Sequence, residues 1–273
     1  MLSALAGGTA NAAAGDPRAA STSAEARDDA RRQVPLDRID AKYRQAVADV
    51  LADPTLFRRM PTNVVDCRPE LFTFLAQNPE VLVEIWRSLG VSQVELTRID
   101  DASFRMSDGA GTTGTLVIVE QSCDAAAQNR IVMFADGRYE GKPFAAPISA
   151  HCVVMLRSGS VRETNGRYYV AARLDSFVKF DRTSLEVVAK AVHPFVGQTA
   201  DRNFADTLAF VSNLSYTAEK RPEAIDQLAK DMQNVDEPRR RQLVQLARQC
   251  AEAGRLWRLS RAESASADAP ARR

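Results

Sequence analysis

Apolar and polar positions alternate most regularly over residues 168–180. A period of two is typical of a β-strand with one face in the core. The predicted core face carries Tyr168, Val170, Ala172, Leu174, Ser176, Val178 and Phe180. Tyr169, Arg173, Asp175 and Lys179 lie on the opposite face. The pattern therefore predicts one long, half-buried strand.

A helical period follows this strand. Apolar residues recur at intervals of three and four over 184–217, and Arg221-Pro222 ends the run. Pro194 and Gly197 lie inside the run, so we expect a kink or a break there, because proline removes a backbone donor. The sequence thus predicts a long strand that leads directly into a long helix.

Shorter alternating segments precede the long strand. The predicted strands cover 94–99, 103–106, 115–121, 130–135 and 148–157. Turn residues separate them, including Asp136-Gly137 and Asn165-Gly166, which are typical of tight hairpins. A further candidate strand lies at 62–67. Because short turns connect consecutive strands, we expect an antiparallel sheet of about six or seven strands.

Helical patterns lie on both sides of this sheet in the sequence. An amphipathic helix is predicted over 39–51, and Asp53-Pro54 ends it. A single helical turn is predicted around Leu56-Phe57. Four further helices begin with proline or aspartate, at Pro69, Pro79, Pro222 and Asp236. Gly90 is a natural stop for the second of these four.

Both ends of the chain differ from its middle. Residues 1–14 are rich in alanine and end with an A-x-A pattern at 10–12, which resembles the second half of a signal peptide. Two interpretations stay open, a truncated signal sequence of an exported or periplasmic protein and the tail of a cytoplasmic one. Residues 13–34 lack an apolar period and predict a flexible linker, and residues 260–273 predict a disordered tail.

These patterns divide the chain into three parts. Residues 1–34 are the signal remnant and linker, residues 35–235 are the main α+β domain with its leading helix, and residues 236–273 are a helix and tail. One side of the last helix is apolar and carries Leu243, Leu246, Cys250 and Trp257. This side either packs back on the domain or binds a protein partner through 236–257, and we favour the first.

Composition and charge argue against some classes of function. The 273 residues include 36 basic and 35 acidic side chains, so the formal charge is +1. This balance gives no reason to expect nucleic-acid binding, and three consecutive arginines at 239–241 do not change that. Since no run of about 18 apolar residues occurs, no membrane span is expected.

The four cysteines, at 67, 123, 152 and 250, form no CxxC pair. Metal-ligand spacing is therefore absent, and we predict neither a metal site nor a cofactor. Either one bridge forms among Cys67, Cys123 and Cys152 in an exported protein, or all four are small core residues. We favour the second alternative.

Few side chains are candidates for catalysis or ligand binding. His151 lies on a strand face with Ser149, Val153 and Met155, and is either a general base or a structural histidine. Arg173 and Asp175 either bind a ligand head group or form an exposed pair, and we favour the exposed pair. The glycine-rich stretch 108–114 predicts a turn between strands, because no Lys-Ser or Lys-Thr follows it.

The order of these elements resembles the START-like helix-grip fold of the lipid-transfer and polyketide-cyclase-like superfamily. The resemblance covers about 60–222. It rests on Val64-Val65-Asp66 before Leu71-Phe72-Thr73-Phe74-Leu75, on Trp86 at the end of the helical pair, and on Asp175 to Phe180 before the helix of 185–214. It implies a cavity between sheet and helix that holds an apolar ligand, in some members with catalysis. The interrupted last helix and the extra helices at both ends depart from the pattern.

We therefore expect an α+β fold, with a curved antiparallel sheet of six or seven strands gripping a long C-terminal helix and accessory helices at both ends. The expected function is non-catalytic binding of a small apolar or lipid-like molecule in that cavity. The candidate ligand-binding residues are Trp86, His151, Tyr169, Arg173 and Asp175. Two alternatives stay open. One is a cyclase- or hydrolase-like enzyme that uses His151 with Tyr169, Arg173 or Asp175, and the other is a structural or interaction protein with a closed core.

Overall fold

A computed structural model describes residues 18–123, 128–142, 144, 146–181 and 196–267, with side chains of 199–262 in the last segment. Over these residues the protein is α+β, with an open antiparallel sheet of eight strands and seven α-helices. This confirms the predicted fold class.

The helices lie at both ends of the chain and between the second and third strands. They are α1 (Ala24–Gln33), α2 (Ala41–Ala52), α3 (Pro69–Gln77), α4 (Pro79–Ser88), α5 (Val196–Lys220), α6 (Pro222–Asp231) and α7 (Glu237–Ala267). The predicted start of the long helix, with Pro194, lies outside the described residues. From Val196 to Lys220 the helix is continuous, and it ends at Arg221-Pro222 as predicted.

The strands are β1 (Leu56–Arg59), β2 (Asn63–Val65), β3 (Glu95–Arg98), β4 (Ser103–Ser107), β5 (Thr112–Ser122), β6 (Asn129–Tyr139), β7 (Ile148–Arg162) and β8 (Tyr168–Phe180). Strands β3 to β8 pair with their sequence neighbours, in the antiparallel order expected from short turns. Strands β1 and β2 both pair with β8 and form the other edge of the sheet.

Both faces of the sheet are covered. The outer face, with Val153, Met155 and Phe177, packs against α1 and α2 through Ala30 and Val47. The inner face packs against α3 and α5 through buried side chains that include Val170, Ala172, Leu71, Phe204 and Leu208. Because side chains alternate along each strand, consecutive residues of β8 enter two separate cores.

Local sequence signals explain the helical pair between β2 and β3. Pro69 and Pro79 occupy first-turn positions, where a missing N–H costs nothing. Leu71 and Phe74 are buried on α3, and Val81 and Ile85 on α4. Gly90 has a φ of +70° just after α4, as expected for a helix stop. These predictions from the sequence are confirmed.

Four local predictions are wrong. The predicted linker contains α1, because Ser23 caps it and Ala30 packs into the outer core. Residues 56–59 form a strand and not a helical turn, since they pair with β8. Residues 136–137 lie inside β6, and the predicted tail is helical as far as Ala267. In the first three cases contacts with residues distant in sequence decided the structure.

The apolar side of α7 packs back on the domain. Leu243, Ala247 and Cys250 are buried against the inner core, and the helix contacts α3, α5 and α6. The indole Nε1 of Trp257 donates a hydrogen bond to the carbonyl oxygen of Asn165 in the β7–β8 turn. The alternative that we favoured for this helix is therefore the one observed.

Candidate functional site

An apolar cavity of about 380 Å³ lies between the inner face of the sheet and α5. Its lining consists of Met60, Phe72, Leu75, Ala76, Leu82, Met133, Val154, Leu156, Leu174, Ala200, Asn203, Phe204, Thr207, Leu208 and Val211. The sheet supplies one wall, α5 the opposite wall, and α3 and α4 close one side. This is the space that the resemblance to helix-grip proteins implied.

The register between strands places the side chains that form the sheet wall of the cavity next to one another. Met133 faces Val154 across β6 and β7, and Leu156 faces Leu174 across β7 and β8. Residues directly opposite each other in an antiparallel sheet point to the same side. Since Val154 and Leu156 are two apart on β7, all four side chains share the inner face.

The helix wall follows from spacing on α5. Ala200, Phe204, Leu208 and Val211 are three or four residues apart and lie on one side of the helix. Phe204, Leu208 and Val211 are buried. The sequence pattern identified Leu208 and Val211 on the apolar side of this helix, whereas the sheet wall depends on register between strands.

The cavity has almost no polar lining. Among the described residues, Asn203 and Thr207 are its two polar lining residues, and no charged side chain of that part of the chain lines it. The Thr207 hydroxyl donates to the backbone oxygen of Asn203 at 2.7 Å, so it is already satisfied. Asn203 is exposed and lies at the solvent side of the cavity lining. The space suits an apolar body with at most a small polar end.

None of the five candidate ligand-binding residues lines this cavity. Trp86 packs edge-to-face against Phe210 of α5, with ring centroids 6.0 Å apart. Tyr169 is half-buried on the opposite side of β8, across from Val161. The structure therefore separates Trp86 on α4 from the four candidates that lie on the strands.

His151 lies on the outer face, on the far side of the sheet from the cavity. Its Nε2 is 3.5 Å from a carboxylate oxygen of Asp136, its neighbour on β6. Its ring stacks on Phe134 with centroids 5.7 Å apart, and its side chain is 40% exposed. These contacts fit a structural histidine on the edge of the outer core.

Asp175 is fully buried, with 0% of its side chain exposed, so the favoured interpretation of an exposed pair with Arg173 is wrong. Arg59 Nε donates to one carboxylate oxygen at 2.6 Å, and Arg157 donates to the other at 2.8 Å. Arg59 also pairs with Asp29 of α1 at 2.8 Å. The burial has a physical reason, since α1 covers this part of the outer face and the side chains of Arg59 and Arg157 lie against the carboxylate.

The charged groups in and beside this network change one another's pKa values. The hydrogen bond from Arg59 holds the pKa of the Asp29 carboxyl below its ordinary value. Burial lowers the pKa of the Arg173 guanidinium, and the nearby positive charges of Arg157 and Arg59 lower it further. The network therefore holds α1, β1, β7 and β8 together, and it lies on the face opposite the cavity.

The four cysteines are free thiols, and Cys67 and Cys250 are buried in the inner core. Burial raises the pKa of Cys67 to about 12 and that of Cys152 to about 11. These thiols are therefore protonated and poorly nucleophilic at neutral pH. Within the described residues, no group of three His, Cys, Asp or Glu side chains could hold a metal ion.

Residues 108–111 of the glycine-rich stretch form a turn between β4 and β5, as predicted, and residues 112–114 begin β5. Gly109 and Gly111 have φ values of +68° and +114°, which glycine adopts readily. The Asp108 carboxylate accepts hydrogen bonds from the backbone N–H groups of Ala110 and Thr112, each at 2.8 Å. The stretch is a turn that its own aspartate closes.

Comparisons with known proteins show no family for this chain. Neither a protein-family model nor a curated protein matches it. A solved structure, described as that of a conserved protein from Geobacillus kaustophilus, is 14% identical over 56% of this chain and 90% of that chain, with a TM-score of 0.36. The antiparallel sheet with its C-terminal helices is compatible with a helix-grip-like α+β fold. No helix in the described segments is long and apolar enough to cross a membrane.

Proposed function

We propose that the protein binds a small apolar or lipid-like molecule, without catalysis, in the cavity between the sheet and α5. The lining of that cavity carries the proposal, because all but two of its residues are apolar. Its volume of about 380 Å³ falls within the range of roughly 300–1,000 Å³ that is usual for small-molecule sites. Transfer of apolar surface out of water supplies the driving force.

The lining also indicates how such a ligand would be oriented. Asn203 is the exposed polar residue at the solvent side of the cavity, and Phe204 and Leu208 are buried next to it on α5. A ligand with one hydrogen-bonding end would place that end at the Asn203 carboxamide and its apolar part against the sheet. A ligand with charge deep in the cavity would find no partner.

The described residues of the cavity lining include no titratable side chain, which favours binding over catalysis. Proton transfer needs a group within hydrogen-bond reach of the reacting atom. His151, the candidate base, lies on the other face of the sheet and contacts Asp136 and Phe134. The enzyme alternative therefore lacks support from this cavity, and the open space argues against the closed-core alternative.

The test pairs native mass spectrometry with titration of an uncharged apolar fluorophore, N-phenyl-1-naphthylamine. Ala200 lines the cavity, whereas Ala209 of the same helix is exposed to solvent. We expect Ala200→Trp to fill the cavity and to weaken fluorophore binding at least about tenfold, because the added indole takes the ligand's place. Ala209→Trp adds the same side chain outside the cavity and serves as the matched control.

The proposal is supported if Ala200→Trp loses binding and Ala209→Trp keeps it. A co-purified apolar molecule in the native mass spectrum, absent from Ala200→Trp, would identify the natural ligand class. Equal binding by wild type and Ala200→Trp, or no binding by wild type, would contradict it.

A further inference from the structure

A second concave site lies at the other end of β8, where the β7–β8 turn meets α7. It is an open groove of about 860 Å³. We call it the arginine groove, and its defining residues are Arg68, Arg162, Tyr168, Leu256, Trp257 and Arg261. It shares no lining residue with the apolar cavity. Along β8, buried Val170 and Ala172 separate Tyr168 of the groove from Leu174 of the cavity.

Aromatic rings hold the arginine side chains of this groove in place. The guanidinium carbons of Arg68 and Arg162 lie 5.3 and 5.8 Å from the ring centroid of Tyr168. That of Arg261 lies 5.3 Å from the ring of Trp257. These distances are within the range of cation–π attraction, which orders a guanidinium without using its N–H donors. Arg68 Nη2 donates to Glu70 at 3.2 Å and Arg162 Nε donates to the carbonyl oxygen of Gly166 at 3.5 Å. Among the described residues, the other N–H donors of the three guanidinium groups stay available for a ligand.

The positive charge in the groove is largely unbalanced. Within the described residues, no aspartate or glutamate lines it, and Arg162 and Arg261 form no ion pair. Arg68 has one carboxylate neighbour, Glu70 at 3.2 Å, which is itself exposed. Arg167 behind Trp257 shows the contrast, since Asp66 and Glu219 neutralise it.

We propose that the arginine groove binds a phosphate-bearing anion. A guanidinium presents a planar fork of donors that matches phosphate oxygens, and three such groups match a ligand with two or more negative charges. The apolar side of Leu256 gives an organic part of the ligand a surface to contact. The phosphate could belong to a soluble organic phosphate or to the head group of an acidic lipid, because the recognising chemistry is the same.

The test measures binding of two probes by the full-length protein. Inorganic triphosphate, followed by titration calorimetry, represents a soluble phosphate. Vesicles of phosphatidylcholine with phosphatidic acid, compared with phosphatidylcholine alone in a sedimentation assay, represent a lipid head group. The variant Arg162→Gln/Arg261→Gln removes two exposed charges of the groove. The control variant Arg241→Gln/Arg248→Gln removes two exposed charges of α7, the helix that carries Arg261, outside the groove.

We expect wild type and the control variant to bind triphosphate, and the groove variant to bind at least about tenfold more weakly, because each removed guanidinium takes charge-assisted hydrogen bonds with it. The same pattern with acidic vesicles alone supports the proposal and identifies a lipid head group as the source. Equal weakening in both variants would show a general effect of net charge and overturn it. Failure of wild type to bind either probe at millimolar phosphate would overturn it as well.

Discussion

Asp175 joins three strands on the outer face of the sheet through buried ion pairs. Its carboxylate is buried and accepts hydrogen bonds from Arg59 and Arg157, which come from β1 and β7. A buried charge is tolerated only when partners satisfy it, so the three side chains form one unit. The sequence could not reveal this unit, because Arg59 precedes Asp175 by 116 residues.

Replacement of Asp175 by asparagine tests the unit. The substitution keeps the volume but leaves two arginines with a neutral partner in a buried site. We expect the free energy of unfolding to fall by about 3–5 kcal/mol, the usual cost of breaking a buried ion pair. Urea denaturation followed by circular dichroism measures it.

An exposed aspartate provides the control. Asp53 pairs with Lys179 at 3.7 Å, and 90% of its side chain is exposed. Asp53→Asn should change the free energy of unfolding by less than about 1 kcal/mol, because solvent screens such a pair. Similar losses in the two variants would show that Asp175 contributes no more than a surface charge.

At the scale of elements, the sequence predicted the helices and strands whose structure is determined by residues close to them in the chain. Each of the signals for them depends on residues close together in the sequence. They are the alternation of apolar and polar residues in β8, the prolines that begin α3 and α4, and Gly90 at the end of α4. It did not predict α1, because alanine is the only apolar residue type in this helix. It did not predict β1 either, since pairing with β8 across more than 100 residues makes it a strand.

Close approach of β5 and β6 depends on Gly114, which lies opposite Gly137. A Cβ at position 114 would lie 2.9 Å from the Cα of Gly137 and closer still to the backbone oxygen of Asp136. We expect Gly114→Ala to lower the free energy of unfolding by about 1–3 kcal/mol, because backbone atoms must move apart. Equilibrium unfolding in urea measures the loss.

A substitution of Gly137 tests whether the steric clash is specific to a Cβ atom at position 114. A Cβ there would meet no atom closer than the Thr113 oxygen at 3.8 Å. Gly137→Ala should therefore change the free energy of unfolding by no more than about 0.5 kcal/mol. A loss in Gly137→Ala as large as that in Gly114→Ala would contradict the steric explanation.

Attachment of α1 should depend on pH through Asp29. Its folded-state pKa lies below its ordinary value, and the hydrogen bond from Arg59 is the largest cause. A lowered pKa stabilises the fold above the unfolded-state pKa, and this stability is lost as the pH falls through the folded-state pKa. Because the Asp29 side chain is 38% exposed, the contribution should stay below about 1 kcal/mol.

The variant Asp29→Asn isolates this contribution. At neutral pH we expect it to unfold slightly more easily than wild type, because it lacks the charged pair. As the pH falls below about 4, the difference in free energy of unfolding should shrink, since wild-type Asp29 becomes protonated. Denaturation curves of both proteins at a series of pH values measure it. A difference that stays constant down to the lowest pH would rule out an electrostatic origin.

At the scale of the whole molecule, the protein has a core on each side of one sheet, and only the inner side encloses the apolar cavity. The sequence predicted the inner face of β8 correctly, but it gave no sign that α1 and α2 cover the outer face. The sequence therefore predicts four strand residues as ligand contacts that lie on the other side of the sheet from the cavity, namely His151, Tyr169, Arg173 and Asp175. Assigning them required the register of β6, β7 and β8, which is a property of the folded sheet.

A ligand held in the cavity should stabilise the whole fold, because it binds the native chain and not the unfolded one. Mass action predicts a gain of about 2.7 kcal/mol when free ligand exceeds the Kd by about one hundredfold. The thermal midpoint of wild type should thus rise with the concentration of an uncharged apolar ligand. Ala200→Trp should show no such rise, and its midpoint without ligand should equal or exceed that of wild type, because the indole fills empty space. Differential scanning calorimetry of wild type, Ala200→Trp and Ala209→Trp separates the outcomes. A ligand-dependent rise in Ala200→Trp as large as that in wild type would mean that the ligand stabilises the protein from another site.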